Sequence, residues 1–319
     1  MYPECGASER VGRRDFLMRS GGAVAALASL AAAPGTALAQ AAAPEPTADP
    51  LPTIQLGQYR VTRLVAGYNP IGGHSHTTLN MARHMREYFT VEQTARFLLD
   101  CERRGINTWQ YDHVDSVLES LQMARDQGCT LQVMCLHAER PTDASLDEVM
   151  KYKPIAIVHH GGVTDGLFRG GQAQQVRDFV KKVHDRGVLA GVSSHSPANV
   201  RRIADEGWEN DFFMACFYYL TRPREEMQRD LGKVPVGEPF FESDRDEMTA
   251  VIRQVGKPCL AFKILAAGML GWSTASVEQA FRYAFANIKK TDAVIVGMYP
   301  RFADEIVENA KYTRQHGVV

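Results

Sequence analysis

An alternation of short apolar segments with helical segments runs through most of this 319-residue chain, and it constrains the fold more than any other feature. The apolar segments carry no polar alternation, which is typical of strands buried on both faces of a parallel sheet. Glycine recurs where a helix would end before the next strand. Predicted strands occupy 62–68, 106–111, 130–137, 155–159, 188–194, 211–219, 259–265 and 293–298. Predicted helices occupy 91–104, 116–127, 145–152, 173–186, 197–206, 247–255, 276–289 and 301–314.

Eight strand–helix units predict an α/β fold in which the strands close into a (β/α)8 TIM barrel. An open, doubly wound sheet is the alternative, and it is disfavoured because no Gly-rich phosphate-binding turn follows the first strand. Before the first unit, residues 54–61 carry Gly57 between two short apolar pieces, which indicates a hairpin. Ser276, with Gln279 three residues later, predicts a capping box at the start of a helix.

The first 39 residues are predicted to be a signal peptide rather than part of the fold. The segment Arg13-Arg14-Asp15-Phe16-Leu17-Met18-Arg19 is close to the twin-arginine export pattern, and small apolar residues follow it at 21–33. Ala37-Leu38-Ala39 then predicts cleavage near Ala39. The apolar stretch is too short for a stable membrane anchor. We therefore expect the twin-arginine export machinery as a partner and a periplasmic or extracellular location.

Behind this leader, an Ala/Pro-rich linker is predicted at 40–53 and the barrel domain at 54–319. The 36 basic and 37 acidic residues leave a net charge of −1, so nucleic acid is not expected as a partner. The six cysteines show no Cys-x-x-Cys pair and no metal-ligand spacing. They are interpreted as mostly buried thiols.

Histidines cluster at the predicted strand ends, where a barrel carries its chemistry. Of ten histidines, seven lie at these ends or just after them: His74, His76, His113, His137, His159, His160 and His195. The carboxylates Asp112, Asp115, Glu139 and Asp165 accompany them.

Such a cluster has two chemical interpretations and a structural alternative. The imidazoles could hold Zn²⁺ or a similar divalent metal, with His113, His137 and His160 as the candidate ligands. They could equally act as general acid and base without a metal, with His159 as general base and Asp112 orienting a histidine. The structural alternative is that several of them only bond loop carbonyls.

Two further features of the second half bear on a site. Lys263 lies in the apolar strand Ala261–Leu265, so it either faces the pocket or extends out at the strand end. If it faces inward, burial would lower its pKa, which suits a base or a Schiff-base amine; it could also stabilise a developing oxyanion. The long insertion 221–246 is expected to be either a lid over the site or a solvated loop.

From the second strand onward, several short segments follow one another in a recognisable order: Gly105-Ile-Asn-Thr-Trp109, Val158-His159, Gly191-Val-Ser193, Phe262–Leu270, and Ile295-Val-Gly297 followed by Arg301 and Glu308-Asn309. In these segments and their order, about 200 residues of the chain resemble the aldo/keto reductase superfamily. It implies the same barrel and an NADP site formed by Ser193, Gly297, Arg301, Glu308 and Asn309.

The reductase tetrad of Asp, Tyr, Lys and His is only partly matched. The Asp position reads Gln110 and the Tyr position reads Asp115, which makes Asp115 a candidate catalytic carboxylate. The Lys position falls within Cys135–His137, which has no lysine, and only His159 matches. Tyr111 is a nearby phenol that could substitute for the missing tyrosine.

Three functions remain open from the sequence. The first is an exported barrel enzyme that acts on a small polar, carbonyl- or sugar-like substrate through a His/carboxylate site, as an isomerase, lyase or hydrolase, with or without a metal. The second is an NADP-dependent aldo/keto oxidoreductase with a non-standard proton donor. The third is a non-catalytic small-molecule binding protein on the same scaffold.

Overall fold

A closed barrel of eight parallel strands forms the centre of the computed structural model, which describes residues 50–137 and 143–318. The barrel strands are β3 (Leu64–Gly67), β4 (Thr108–Asp112), β5 (Gln132–His137), β6 (Ala156–His159), β7 (Leu189–Ser194), β8 (Phe212–Cys216), β9 (Cys259–Phe262) and β10 (Ala293–Gly297). Each strand pairs with its sequence neighbours, and β10 closes the barrel onto β3 through Val294–Leu64 and Gly297–Gly67. The predicted (β/α)8 fold is confirmed.

Helices separate the strands along the chain. Their bounds are α1 (Leu79–Tyr88), α2 (Val91–Arg103), α3 (Asp115–Asp126), α4 (Asp143–Met150), α5 (Gly161–Arg169), α6 (Gln174–His184), α7 (Pro197–Asp205), α8 (Arg224–Leu231), α9 (Glu242–Gln254), α10 (Thr274–Asn287) and α11 (Glu305–His316). No helix in the described part of the chain is long and apolar enough to cross a membrane. The predicted signal peptide and all but the end of the linker lie outside the described residues.

Three of these helices were not predicted, and the starts of α9 and α11 differ from the predicted ones, with α11 beginning at Glu305 instead of 301. Helices α1, α5 and α8 lie between the predicted strands and helices, and each buries at most one large apolar side chain. Helix α9 begins at Glu242, inside the predicted insertion. The capping box belongs to Ser273 rather than to Ser276 and Gln279: Ser273 accepts from the Ser276 backbone, and the Ser276 hydroxyl reaches back to the Ser273 amide.

The predicted hairpin precedes the barrel as β1 (Thr53–Leu56) and β2 (Tyr59–Thr62), which pair antiparallel. Ile54, Leu56 and Val61 are buried in one cluster with barrel residues that include Met134, Val158, Phe212 and Leu260. At the turn, a Cβ on Gly57 would come within 2.7 Å of Leu189 at the start of β7. The hairpin therefore packs at the end of the barrel where the strands begin.

Side chains along each barrel strand alternate between two environments, as the strand period of two requires. On β6, Val158 belongs to the interior cluster, whereas Ile157 belongs to the larger cluster between the barrel and its helices. This alternation decides which of two adjacent residues at a strand end can face the central cavity.

Candidate functional site

A cavity of about 840 Å³ lies where the barrel strands end. Its polar lining comes from strand ends and from the loops that follow them, and includes His74, His76, Gln110, Asp112, His160, Ser193, His195, Glu238 and Lys263. Apolar side chains such as Leu136, Met214 and Phe262 form part of the wall. A concave site with a few converging polar groups on an apolar wall is the usual form of a small-molecule site.

The adjacent residues His159 and His160 are placed on opposite sides of the barrel wall. His159 faces outward, 4.9 Å from the Phe179 ring of α6, and its Nδ1 lies 2.7 Å from the Thr164 hydroxyl. It does not line the cavity, so the role of general base predicted for it gains no support. His160 lines the cavity, and burial together with His195 and Lys263 lowers its pKa to about 4.

The three predicted metal ligands do not come together. His137 lies 6.2 Å from the Phe179 ring, on the same outer side as His159. His113 packs 6.0 Å from the Tyr152 ring, and only His160 lines the cavity. Within residues 50–137 and 143–318, no three His, Cys, Asp or Glu side chains form a group that could hold a metal ion. Glu139 lies outside the described residues.

The two predicted catalytic carboxylates are also separated. Asp112 faces the cavity and accepts a hydrogen bond from Gln110 at 3.3 Å. Burial raises the pKa of Asp112 to about 7, although Gln110 and Lys263 oppose this shift. Asp115 is exposed at the first residue of α3 and does not line the cavity. The predicted carboxylate pair is therefore reduced to Asp112 at this site.

His195 forms the most strongly held imidazole–carboxylate pair of the cavity. Its Nδ1 lies 3.2 Å from Asp165 Oδ2, and its backbone amide donates to the same oxygen at 2.9 Å. Three more donors reach Asp165: the hydroxyls of Ser194 and Thr221, at 2.5 and 2.8 Å, and the amide of Asn199, at 2.9 Å.

These contacts fix both partners. Burial raises the pKa of Asp165, but the hydrogen bonds and charge of His195 outweigh it and hold that pKa below its usual value. Because an ionised Asp165 can only accept, the Nδ1–H of His195 donates to it and Nε2 is left to accept a proton. A Cβ on Gly161 would come within 3.0 Å of His195 Cε1, so only glycine lets α5 begin this close to the ring.

A second chain of contacts joins three segments that are far apart in sequence. Lys263 Nζ lies 2.9 Å from His76 Nε2, and His76 Nδ1 lies 2.7 Å from Glu238 Oε2. Glu238 belongs to the predicted insertion, and Phe240 packs 6.5 Å from the His76 ring. The insertion therefore supplies part of the cavity wall.

The backbone conformation and the side-chain charges in this set of contacts, from Lys263 through His76 to Glu238, are unusual. His76 and Lys263 both have positive φ angles, of 56° and 58°. Side chains rarely adopt this region, and residues held in it tend to lie at functional sites. Burial is the main cause that lowers the pKa of Lys263, and burial together with Lys263 lowers the pKa of His76. Of the two placements left open by the sequence for Lys263, the structure shows the inward one.

Four of the five residues predicted to hold NADP line the same cavity as Lys263. They are Ser193, Gly297, Glu308 and Asn309. The fifth, Arg301, is exposed, and its guanidinium lies over the rings of Tyr88 and Phe302 rather than in the cavity lining.

The two tyrosines that could donate a proton, Tyr111 and Tyr68, lie on different sides of the barrel wall. Tyr111, the phenol considered from the sequence, is fully buried next to Trp109 on the outer side of β4. Tyr68 lines the cavity instead, and burial together with Asp112 raises its pKa to about 12. The phenol of Tyr68 therefore keeps its proton at neutral pH.

Sequence reasoning left His76, His195, Asp165 and Glu238 out of the candidate catalytic set. The sequence did indicate a functional position for His76, His195 and Asp165, since each follows a barrel strand. For Glu238 there was no such indication, because its proximity to His76 depends on how the insertion folds.

No family model matches the sequence, and no curated protein matches it. Among solved structures, the chain is similar to the glycerol dehydrogenase AKR11B4 from Gluconobacter oxydans, at 12% identity and a TM-score of 0.46 over 83% of this chain and 96% of that one. It is similar to an aldo/keto reductase from Brucella melitensis, at 11% identity and a TM-score of 0.43 over 84% and 92%. It is similar to a mandelate oxidase, at 14% identity and a TM-score of 0.47 over 86% and 80%. Similarities at this level concern the course of the chain and carry no conclusion about substrates.

Proposed function

We propose that this protein is an exported barrel enzyme that performs acid–base chemistry on a small polar substrate with a carbonyl or sugar-like group. The observation that carries the proposal is the pairing of two cavity imidazoles with carboxylates, His195 with Asp165 and His76 with Glu238. Enzymes of this kind need a base and an acid held within reach of one bound molecule.

The proposed roles follow from the charge states. His195 is the general base, because Asp165 orients its ring and stabilises the imidazolium that forms. Asp112, with a pKa of about 7, is half protonated near neutral pH and can donate a proton to a developing oxyanion. The proposed roles use only side chains of the cavity and require no metal ion.

Deuterium exchange tests this proposal without knowledge of the natural substrate. Purified protein is incubated in D₂O with small hydroxy-carbonyl compounds, 2-keto acids and sugars, and NMR follows deuterium entering the position next to the carbonyl. We expect catalysed exchange with at least one compound and its loss in His195→Asn. Exchange that is equally fast in His195→Asn contradicts the assignment of the base.

Export is part of the same proposal and rests on the Arg13-Arg14 segment. The test compares the full chain with an Arg13→Lys, Arg14→Lys variant in a bacterium that has a twin-arginine pathway. We expect the processed protein outside the cytoplasm only when both arginines are present. Equal export of the variant contradicts this route.

An NADP-dependent aldo/keto oxidoreductase is a second candidate, and a specific observation favours it. The predicted cofactor residues Ser193, Gly297, Glu308 and Asn309 line the cavity that also contains Lys263. Tyr68 would be the non-standard proton donor, because its protonated phenol faces the same space as Asp112.

A nicotinamide would reveal itself in the absorbance and fluorescence of the purified, folded protein. Fluorescence titration with NADPH, on wild type and on Asn309→Ala, gives the matched comparison. Retained nicotinamide, or binding that weakens in the variant, supports the oxidoreductase over the first candidate. A bound small molecule that is never turned over would instead indicate a binding protein.

A further inference from the structure

We infer that Lys263 is the nucleophile of this cavity and forms a Schiff base with the carbonyl carbon of the substrate. The inference rests on the proposed function and makes it more specific, since it restricts the substrate to aldehydes, ketones or keto acids. Its basis is the chain of contacts from Lys263 through His76 to Glu238 at the cavity wall.

The position of the amine suits nucleophilic attack. Lys263 directly follows β9, lines the cavity and has His76 Nε2 as its hydrogen-bonding partner. In the described part of the chain, no carboxylate lies within ion-pair distance of its Nζ, although Asp112 and Glu238 lie near enough to influence its charge. A lysine held only to stabilise an anion would be kept charged by such a partner, whereas a nucleophilic lysine must release its proton.

His76 and Glu238 provide the route for that proton. In the neutral ring, Nδ1–H donates to Glu238, which leaves Nε2 to accept hydrogen from the amine. When Nε2 takes the proton, the imidazolium formed lies 2.7 Å from a carboxylate that stabilises it. Glu238 is partly exposed, so the proton can exchange with solvent.

The chemistry balances with the groups present. The Nζ lone pair attacks the carbonyl carbon, one N–H proton passes to His76, and the protonated Asp112 gives its proton to the carbonyl oxygen. The C–O bond of the resulting carbinolamine then breaks as the nitrogen lone pair forms C=N, and His76 returns its proton to the departing oxygen. The products are a protonated imine on Lys263, one water, neutral His76 and ionised Asp112.

The backbone gives independent support. Both His76 and Lys263 have positive φ angles, and so do Ala266 and Ala267 in the turn after Lys263. Residues other than glycine rarely adopt this conformation, and those held in it tend to lie at functional sites. In this protein positive φ angles occur at Lys263 and His76, the two residues between which the proton passes.

Reductive trapping tests the inference. The full protein is incubated with pyruvate and sodium borohydride, which reduces an imine to a stable secondary amine, and the adduct is located by intact mass and tryptic mapping. We expect a single adduct on Lys263. Trypsin then fails to cut after Lys263, and the 264–282 peptide is recovered only as an extension of the preceding one.

The same digest contains a matched control lysine. Burial also lowers the pKa of Lys257, but its Nζ donates to the Trp208 and Asn210 carbonyls and does not line the cavity. We expect no adduct on Lys257, none in Lys263→Arg, and trapping slowed about tenfold in His76→Gln. Adducts spread over exposed lysines, an adduct on Lys257, or an undiminished adduct in Lys263→Arg overturns the inference.

The tryptic map of the trapped wild-type protein locates the adduct without any variant. The inference therefore remains testable even if a variant misfolds. The trapping result is also separable from the deuterium-exchange test. Exchange without an adduct on Lys263 overturns the Schiff base and leaves the acid–base proposal standing. An adduct without exchange supports the Schiff base and contradicts the acid–base role of His195.

Discussion

His195 and His76 both line the cavity, and each has its Nδ1 hydrogen-bonded to a carboxylate, but the two carboxylates are held very differently. The side chain of Asp165 is 2% exposed and accepts from five donors. The side chain of Glu238 is 44% exposed, and its hydrogen bond to His76 connects the insertion to the barrel.

This difference separates a fixed group from an adjustable one. The ring of His195 cannot turn without breaking its Nδ1 hydrogen bond to the firmly held Asp165, so it is oriented before substrate arrives. His76 is held by Glu238, an exposed residue of the insertion, so we expect its orientation to respond to what is bound. We therefore assign the general base to the fixed pair and the proton relay to the adjustable one.

The largest expected effect is that of Asp165→Asn. Asparagine cannot keep the charge that stabilises a protonated His195, and it can select the wrong ring tautomer. We expect catalysed deuterium exchange to fall by about 10²–10⁴-fold, measured as initial rate. Because Asp165 also holds Ser194 and Asn199, unfolding in urea must be followed in parallel. A rate loss in a variant that remains folded supports the comparison, and an unchanged rate contradicts it.

Glu238→Gln is the matching change at the adjustable pair, and a smaller effect is expected. Glutamine can still accept a hydrogen bond from His76, but it no longer stabilises the imidazolium. The initial rate of catalysed deuterium exchange should therefore fall by about tenfold. Stability should change by about 1 kcal/mol or less, because an exposed carboxylate contributes little. A loss as large as that of Asp165→Asn would show that the two pairs act as one unit.

Asp112 provides a pH test of the acid in the same cavity. Burial raises its pKa to about 7, so the folded protein binds a proton there that the unfolded chain releases near pH 4. Stability should therefore fall as pH rises from about 4 to about 7, by on the order of 4 kcal/mol, and level off above. In Asp112→Asn this part of the pH profile should disappear. Urea unfolding at a series of pH values checks both statements, and identical profiles contradict them.

The smallest effect on activity is expected at His159, the outward neighbour of His160. His159→Gln removes the packing against Phe179 and should destabilise the fold by about 1–2 kcal/mol, while exchange activity changes by less than about threefold. Burial lowers the pKa of His159 to about 4, so the stability it contributes is complete above about pH 6.5 and is lost as pH falls towards 4. Loss of deuterium exchange in a His159→Gln protein that remains folded would contradict this prediction, because it would place a reacting group on the outer face of the barrel.

The barrel was predictable because apolar strands and amphipathic helices repeat with fixed periods, and all eight strands were placed within a few residues. The site was less predictable, for physical reasons. His159 and His160 are adjacent and therefore point to opposite faces, and the sequence does not reveal which of these faces the cavity. For Lys263 the sequence left open whether the side chain faces inward or extends out at the strand end, because an apolar strand is compatible with both, and the structure shows it lining the cavity. The contact of Glu238 with His76 depends on the fold of an insertion with no periodic pattern.

The most direct test of the account is ¹⁵N NMR of the histidine rings while pyruvate is added to the full protein. We predict that free His195 is the tautomer protonated at Nδ1, and that the signals of His76, His160 and His195 shift on addition while those of His137 and His159 stay in place. A shift at His159 with none at His195 would contradict the account, because it would place the bound molecule outside the barrel cavity.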